Sequence, residues 1–251
     1  MIRRDEGHVS MLICVVNPNT TASMTAKIGV AARAAASPGV EIRAVNPAFG
    51  PASIEGYFDE AFSVPGLLEE IAKAPDADAF VVACFDDTGL EAARCATAAP
   101  VIGIGEAAFH VASLIADKFS VVTTLPRSIA AIEKNLLKYG LAARCARVRA
   151  ADVPVLALEE PGDARGLIEA EIVRALAEDG AEAIVLGCAG MTDLARDLEG
   201  RVGAPVLDGV ACAVGLAETL ARLGLRTSKR NSYAAPLPKT YTGMFAIYSP
   251  K

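Results

Sequence analysis

The chain has 251 residues, a formal net charge of −6 at pH 7 and 53% hydrophobic residues. This acidic balance lacks the basic footprint that binds a phosphate backbone, so we expect no nucleic-acid partner. No apolar run reaches the roughly 18–20 residues that span a bilayer, so we expect no membrane partner and a cytoplasmic location. The length is enough for one large domain or two small ones.

Buried strands alternate with helices along the chain. The predicted strands are residues 9–16, 40–45, 79–83, 100–104, 118–123, 144–150, 183–187 and 204–207. The predicted helices are residues 21–36, 58–73, 89–98, 105–116, 128–138, 163–178, 192–198 and 210–223. Because the strands are apolar on both faces, this alternation is typical of parallel sheets covered by helices on both sides. We expect the polar residues 1–10 to form a loose extension and the tail from residue 226 to lie over the surface.

The chain contains an internal repeat. The strand that ends at Cys84 recurs at Cys188, 104 positions later. Three further strand segments recur in the same order, 105 or 106 positions apart: 15–16 with 121–122, 42–44 with 148–150, and 100–102 with 205–207. This repeat predicts two pseudo-symmetric α/β lobes, each a four-stranded parallel sheet flanked by helices. We expect residues 1–104 with 208–251 to form the first lobe and residues 105–207 the second.

The two repeated cysteines are the strongest candidates for chemistry. Ligands of open parallel sheets bind at the carboxyl ends of the strands, which puts Cys84 and Cys188 on opposite walls of a cleft between the lobes. Both precede a predicted helix, and a helix N-terminus lowers the pKa of a thiol, so we expect reactive thiolates. The alternative is that each is a small buried apolar residue, the usual role of a free cysteine. The duplicated setting favours the first interpretation.

The remaining cysteines have no repeat partner at a strand end, and we expect them to be structural. They are Cys14, Cys95, Cys145 and Cys212. No Cys-X-X-Cys pair occurs, which predicts free thiols in a reducing compartment. With two histidines and no ligand spacing in the sequence, we expect no metal site.

The segment from Gly103 to Ala108 resembles part of a dinucleotide-binding fingerprint. Its third glycine is replaced by Ala108, and no strand with a terminal acid follows at the required distance, so a turn with close helix packing is favoured over NAD binding. Asp86 and Asp87 are expected to be helix caps, although Asp86 lies near enough to Cys84 to contact a substrate.

With these residues in view, the chain resembles the hydantoin racemase family of the aspartate/glutamate racemase superfamily. The matching stretches are Val16-Asn17-Pro18-Asn19-Thr20, Gly50-Pro51-Ala52-Ser53-Ile54-Glu55-Gly56, Ala83-Cys84-Phe85-Asp86-Asp87, Gly103-Ile104-Gly105-Glu106-Ala107, Val121-Val122-Thr123-Thr124-Leu125 and Leu186-Gly187-Cys188-Ala189-Gly190-Met191. The resemblance covers nearly the whole chain from Met11. One departure is Thr88, where the family usually has proline.

The resemblance implies cofactor-independent racemisation by two bases. One cysteine, as a thiolate, removes the proton from the stereocentre, and the other, as a thiol, delivers a proton to the opposite face. We therefore expect no cofactor, catalysis by Cys84 and Cys188, a small-molecule substrate and a homo-oligomer. The expected substrate-binding residues are Asn17, Phe85, Asp86, Thr123, Thr124, Ala189, Gly190 and Met191.

The substrate implied first is a 5-substituted hydantoin, with allantoin close behind. No lysine or arginine is obviously placed to clamp an amino-acid carboxylate, which disfavours aspartate or glutamate as substrate. Maleate isomerase-like chemistry stays open. Arylmalonate decarboxylase-like chemistry looks like it needs only one cysteine, so the presence of two disfavours it. A non-catalytic binding protein with two α/β lobes is the alternative from another class.

Overall fold

The computed structural model describes residues 4–5, 8–9 and 11–250. The first half contains β1 (Arg4–Asp5), β2 (His8–Val9), β3 (Met11–Val16), α1 (Ala22–Ala35), β4 (Val40–Val45), α2 (Tyr57–Lys73), β5 (Ala79–Val82), α3 (Leu90–Ala96), β6 (Val101–Gly103) and α4 (Ile104–Ile115). The second half contains β7 (Phe119–Thr123), α5 (Ile129–Lys138), β8 (Cys145–Ala150), α6 (Ala164–Glu178), β9 (Ala183–Leu186), α7 (Ala195–Val202), β10 (Val206–Leu207) and α8 (Gly209–Arg222). Strands β1 and β2 pair antiparallel, while the predicted loose extension 1–10 lies partly outside the described residues.

Two four-stranded parallel sheets form the framework. The first sheet has the order β4-β3-β5-β6 and the second the order β8-β7-β9-β10. All neighbouring strands within them are parallel. Corresponding strands of the repeat occupy corresponding places, and the central strands β3 and β7 are wholly buried because helices cover both faces. The predicted α/β fold class is therefore confirmed.

Two helices cross between the sheets. Helix α4 leaves the first sheet and packs on β9, whereas α8 leaves the second sheet and packs on β3, β5 and β6. The two helices also pack against each other, and Phe109 of α4 places its ring 5.4 Å from that of Phe85 and 6.0 Å from that of Phe119. Residues of both halves consequently share one hydrophobic core. The division into lobes 1–104 with 208–251 and 105–207 stays a prediction.

The chain after Cys188 differs from the sequence-based expectation. A single 3-10 turn, Ala189–Met191, follows the cysteine, and the helix predicted at 192–198 is observed as α7, which starts three residues later at Ala195 and ends at Val202. Met191, the last residue of this turn, is fully buried in the core of the second sheet. A second 3-10 helix, Val155–Glu159, occupies the predicted loop after β8.

The tail after α8 lies over the surface, as expected. Its 3-10 segments, Asn231–Tyr233 and Gly243–Tyr248, bury no residue. Lys229 attaches the start of the tail by donating to the carbonyls of Arg94 and Cys95 at the end of α3. Among the helices that the structure describes, none combines the length and the apolar character needed to cross a bilayer.

The repeat supplies a matched stability experiment. Arg149 on β8 donates to Asp179 at 2.5 and 2.6 Å, and both side chains are 4% exposed. The corresponding Arg43 on β4 pairs with Asp76, and these side chains are 37% and 39% exposed. We expect Arg149→Ala to lower the free energy of unfolding by about 3 kcal/mol, because it leaves a buried carboxylate unpaired. Arg43→Ala should cost below about 1 kcal/mol.

Urea unfolding followed by circular dichroism measures both variants. Equal losses of unfolding free energy would contradict the interpretation that burial makes the Arg149 pair the more important one.

Candidate active site

One pocket opens where the carboxyl ends of the two sheets meet. Its lining comes from both halves: Asn17, Asn19, Met24, Ile54, Ala83, Cys84, Phe85, Asp86, Thr124, Ser128, Val155, Gly187, Cys188 and Ala189. The space between these residues is about 400 Å³ including its open mouth. Both repeated cysteines thus face one cavity.

Cys84 begins a short loop, residues 84–89, between β5 and α3. We call it the Cys84 loop. Its first turn is closed by the Asp87 N–H, which donates to the Cys84 carbonyl at 3.0 Å. The Cys84 Sγ lies 3.4 Å from the Thr88 hydroxyl, in hydrogen-bond contact. The residue that departs from the family's usual proline therefore touches a candidate catalytic thiol.

Cys188 caps the 3-10 turn that follows β9. Its Sγ accepts a hydrogen bond from the Gly190 N–H at 3.4 Å. A Cβ at position 190 would approach Leu158 to 2.8 Å, so glycine lets the chain pass beneath that side chain. The turn thus supplies one directed donor to the sulfur.

The acidity of both thiols runs opposite to the expectation from sequence. Burial raises the pKa of Cys188 to about 12, although the Gly190 amide lowers it. Burial and the charge of Asp86 raise the pKa of Cys84 above its ordinary value, against the lowering contact with Thr88. Both residues retain partial exposure, but only through the pocket. The expected helix-terminus effect is weak because α3 starts only at Leu90 and Cys188 caps a single 3-10 turn.

The charge of Asp86 acts on both thiols and raises the pKa of each. Its side chain faces the pocket, and burial together with the charge of Glu60 raises its pKa to about 7. The Asp86 backbone carbonyl accepts from Asn135 of α5 at 2.7 Å, which fixes the loop from the second half. A carboxyl that titrates near neutrality thus stands beside the two cysteines.

The pocket contains most of the expected substrate-binding residues. Those that line it are Asn17, Phe85, Asp86, Thr124 and Ala189. Those that do not line it are Thr123, Gly190 and Met191. The Thr123 hydroxyl is engaged in donating to the Gly187 carbonyl at 2.8 Å, and Met191 belongs to the core.

Several lining residues escaped the sequence reasoning. They are Asn19, Met24, Ile54, Ala83, Ser128, Val155 and Gly187. Asn19 and Ile54 belong to stretches that resemble the family, whereas Val155 belongs to none of them. The repeat could have predicted Val155, because the segment after β8 corresponds to the long loop after β4.

Two links join the halves across the pocket. The Val155 N–H donates to the Glu55 carboxylate at 2.9 Å. Lys27 of α1 forms an ion pair with Glu159 at 2.9 Å and donates to the Leu158 carbonyl at 3.2 Å. The loops after β4 and β8 are therefore held together above the cavity.

Comparison with known proteins gives consistent relatives. A model of the Asp/Glu/hydantoin racemase family matches residues 13–217. The chain is 52% identical to a hydantoin racemase from Rhizobium meliloti over 236 residues, covering 93% of this chain and 98% of the relative. The solved structure of allantoin racemase from Klebsiella pneumoniae has a TM-score of 0.93 and 47% identity, covering 96% of this chain and 100% of that one. Allantoin racemase from Pseudomonas fluorescens has a TM-score of 0.88 and 44% identity, covering 93% and 100%.

The contact between Thr88 and Cys84 predicts a difference in thiol reactivity. Thr88→Val keeps the shape of the side chain but removes the hydroxyl that favours the thiolate. One hydrogen bond is worth about 1 kcal/mol, so we expect roughly fivefold slower alkylation of Cys84 by iodoacetamide. Peptide mass spectrometry measures the rate, and Cys188 in the same sample is the control. An unchanged Cys84 rate would show that the contact does not stabilise the thiolate.

Proposed function

We propose that the chain interconverts the enantiomers of 5-substituted hydantoins, allantoin included. The chain belongs to the Asp/Glu/hydantoin racemase family and is an isomerase of the racemase type. The proposed reaction moves a proton at C5 between Cys84 and Cys188 without a cofactor. The observation that carries this proposal is that two thiols from corresponding strand ends line one pocket from opposite halves. A racemase needs such a pair, because the proton must leave from one face and return to the other.

The substrate's own structure makes the proton removable. The C5–H bond lies beside a ring carbonyl, so its electron pair delocalises into an enolate when a thiolate takes the proton. The opposite thiol then gives its proton to the other face of C5. The base has become a thiol and the acid a thiolate, so the pair holds one proton before and after each turnover, two while the enolate is present, and works in both directions.

Burial of the thiols suits this chemistry. A raised pKa lowers the fraction of thiolate, but it also makes the thiolate a stronger base toward a weakly acidic C–H bond. Cys84 and Cys188 both have this property because protein surrounds them at the base of the pocket. The hydrogen bonds from Thr88 and Gly190 partly offset the cost of the charge.

The polar lining residues have proposed roles in holding the ring. We assign the backbone amide of Ala189 and the Thr124 hydroxyl to the oxygen that gains charge in the enolate. The side-chain oxygen of Asn17 and the carboxyl of Asp86 are assigned to the ring N–H groups. The amide of Asn17 is already oriented by hydrogen bonds to Asn19 and Thr25, which would limit its loss of freedom on binding.

The charge of the pocket supports a neutral substrate. Among its described lining residues, none is lysine or arginine, and Asp86 contributes a carboxyl. A diacid would meet no cationic partner there, which weighs against aspartate, glutamate and maleate as substrates. Hydantoin and allantoin, the compounds named for the relatives above, share the neutral five-membered ring. Homo-oligomer formation and a cytoplasmic location stay predictions.

Replacing either cysteine tests the two-base reaction. We expect Cys84→Ser and Cys188→Ser each to lower the rate of racemisation by roughly 100-fold or more, because each removes one proton-transfer group. Single enantiomers of 5-benzylhydantoin and allantoin in D2O, followed by optical rotation and mass, measure inversion and exchange at C5. Cys145→Ser, on β8 outside the pocket lining, is the matched control. Full racemisation by either active-site variant would exclude the proposal.

The pH dependence follows from the raised thiol pKa values. At pH 7 each cysteine is mostly neutral, since burial raises the pKa of Cys188 to about 12 and that of Cys84 above its ordinary value. The thiolate fraction then grows about tenfold per unit of pH. We expect kcat/KM, which reports the free enzyme, to rise continuously from pH 7 to pH 9 and to fall with acidification. A plateau reached below pH 8, after subtraction of uncatalysed racemisation, would mean that a thiol pKa is lowered instead.

A further inference from the structure

A buried carboxylate connects the Cys84 loop to the N-terminus of α4 and to the end of α5. Asp87, 4% exposed, accepts hydrogen bonds from the Gly105 N–H at 3.0 Å and the Glu106 N–H at 2.8 Å. The hydroxyl of Tyr139, at the end of α5, donates to the same carboxylate at 2.8 Å. Asp87 thus occupies the N-terminus of α4, the position where a dinucleotide fingerprint would hold phosphate.

The backbone around this contact is adapted to it. Asp87 has a left-handed backbone with φ +51°, which aspartate tolerates better than most residues. A Cβ on Gly103 would overlap the Asp87 carboxylate, and one on Gly105 would overlap the Phe85 carbonyl. The two glycines of the motif therefore make room for the Cys84 loop.

The repeat contains the same contact between a carboxylate and a helix N-terminus, but there the carboxylate belongs to the helix. Asp208 is the N-cap of α8 and accepts from the Val210 N–H at 3.0 Å and the Ala211 N–H at 3.1 Å. These amides lie 105 positions after those of Gly105 and Glu106. Asp208 itself corresponds to Gly103 at that spacing. At the 104-residue spacing of the two cysteines, Asp87 corresponds to Met191, which carries no carboxylate, and Thr88 corresponds to Thr192.

The carboxylate is therefore carried by the helix in one half and by the cysteine loop in the other. Thr192 lowers the pKa of the neighbouring Asp208 carboxyl, while burial raises it. The Thr192 hydroxyl has no hydrogen bond of normal geometry. The loop after Cys188 is consequently tied to α8 less strongly than the Cys84 loop is tied to α4.

We propose that Asp87 is a positioning residue for Cys84, which holds that thiol at its place in the pocket by anchoring the Cys84 loop to the N-terminus of α4. The link to the sulfur is short. The Asp87 N–H closes the turn on the Cys84 carbonyl, and the next residue, Thr88, contacts the Cys84 sulfur. This inference rests on the proposed role of Cys84 in proton transfer.

The simpler role of Asp87 would be that of a helix cap, which stabilises α4 without affecting the thiol. Two variants separate these roles. Asp87→Gly removes the carboxylate and accepts the left-handed backbone without strain. The double variant Asp87→Gly/Gly103→Asp returns a carboxylate to α4 in the arrangement of Asp208. Position 103 has φ −83° and ψ 145°, which suits an aspartate N-cap.

Activity and stability should then separate. We expect Asp87→Gly to lower the urea midpoint and to reduce kcat about 100-fold with KM little changed, as a displacement near 1 Å at a reacting group does. The double variant should recover the urea midpoint while kcat stays at least about tenfold below the original chain. Recovery of kcat together with stability would reduce Asp87 to a helix cap and overturn the proposal. Unchanged kcat in Asp87→Gly would do the same.

Thiol labelling gives a readout that needs no substrate. In Asp87→Gly the alkylation rate of Cys84 should change relative to the original chain, while that of Cys188 stays constant. An equal change in the alkylation rates of Cys84 and Cys188 would indicate that the whole structure has become less stable, and it would overturn the proposal. This criterion applies even if the double variant does not regain stability. If the original chain racemises none of the hydantoins, the proposed function fails, and the labelling ratio still decides whether Asp87 positions Cys84.

Discussion

The arrangement of the whole molecule depends on the packing of α4 and α8 between the two sheets. Each helix starts at the last strand of one sheet and packs on the other sheet, so neither half completes its core alone. Phe109 on α4 contacts the rings of Phe85 and Phe119 from the two halves. Because these contacts fix how the sheets face each other, they also fix how two thiols on separate strand ends meet across one pocket.

Electrostatics at the pocket follow from this burial. The surrounding protein raises the pKa of both thiols, of Asp86 and of Asp87, with individual hydrogen bonds acting against it. Burying so many ionisable groups opposes folding unless they remain neutral or find partners. The three donors to Asp87 provide such partners, and the raised pKa values keep the two thiols mostly neutral at pH 7.

The two halves are related but not equivalent around their cysteines. Cys84 contacts a hydroxyl and lies in a loop anchored by its own carboxylate, whereas Cys188 receives a backbone amide from a short turn. A racemase must act on two enantiomers whose substituents point differently, and in the proposed reaction one thiol takes a proton while the other delivers its own. In the proposed reaction, the unequal surroundings of the two thiols match the two unequal faces of an asymmetric ring.

Much of the fold could be predicted from the sequence by itself. Apolar strands alternating with helices determined the parallel sheets, and the repeat near 105 residues determined their equivalence. The same repeat singled out Cys84 and Cys188, because buried strands and the turns that end them are encoded locally.

Only the tertiary structure decided which groups meet. It brought Ser128 and Val155 to the pocket and left Thr123 and Met191 out of its lining. Burial raised the pKa of both thiols, whereas their position before a predicted helix had suggested lowered values. It also revealed Asp87, rather than a phosphate, at the N-terminus of α4. Periodicity reports the burial of a residue along its own element, whereas desolvation and hydrogen-bond partners depend on atoms that are distant in the chain.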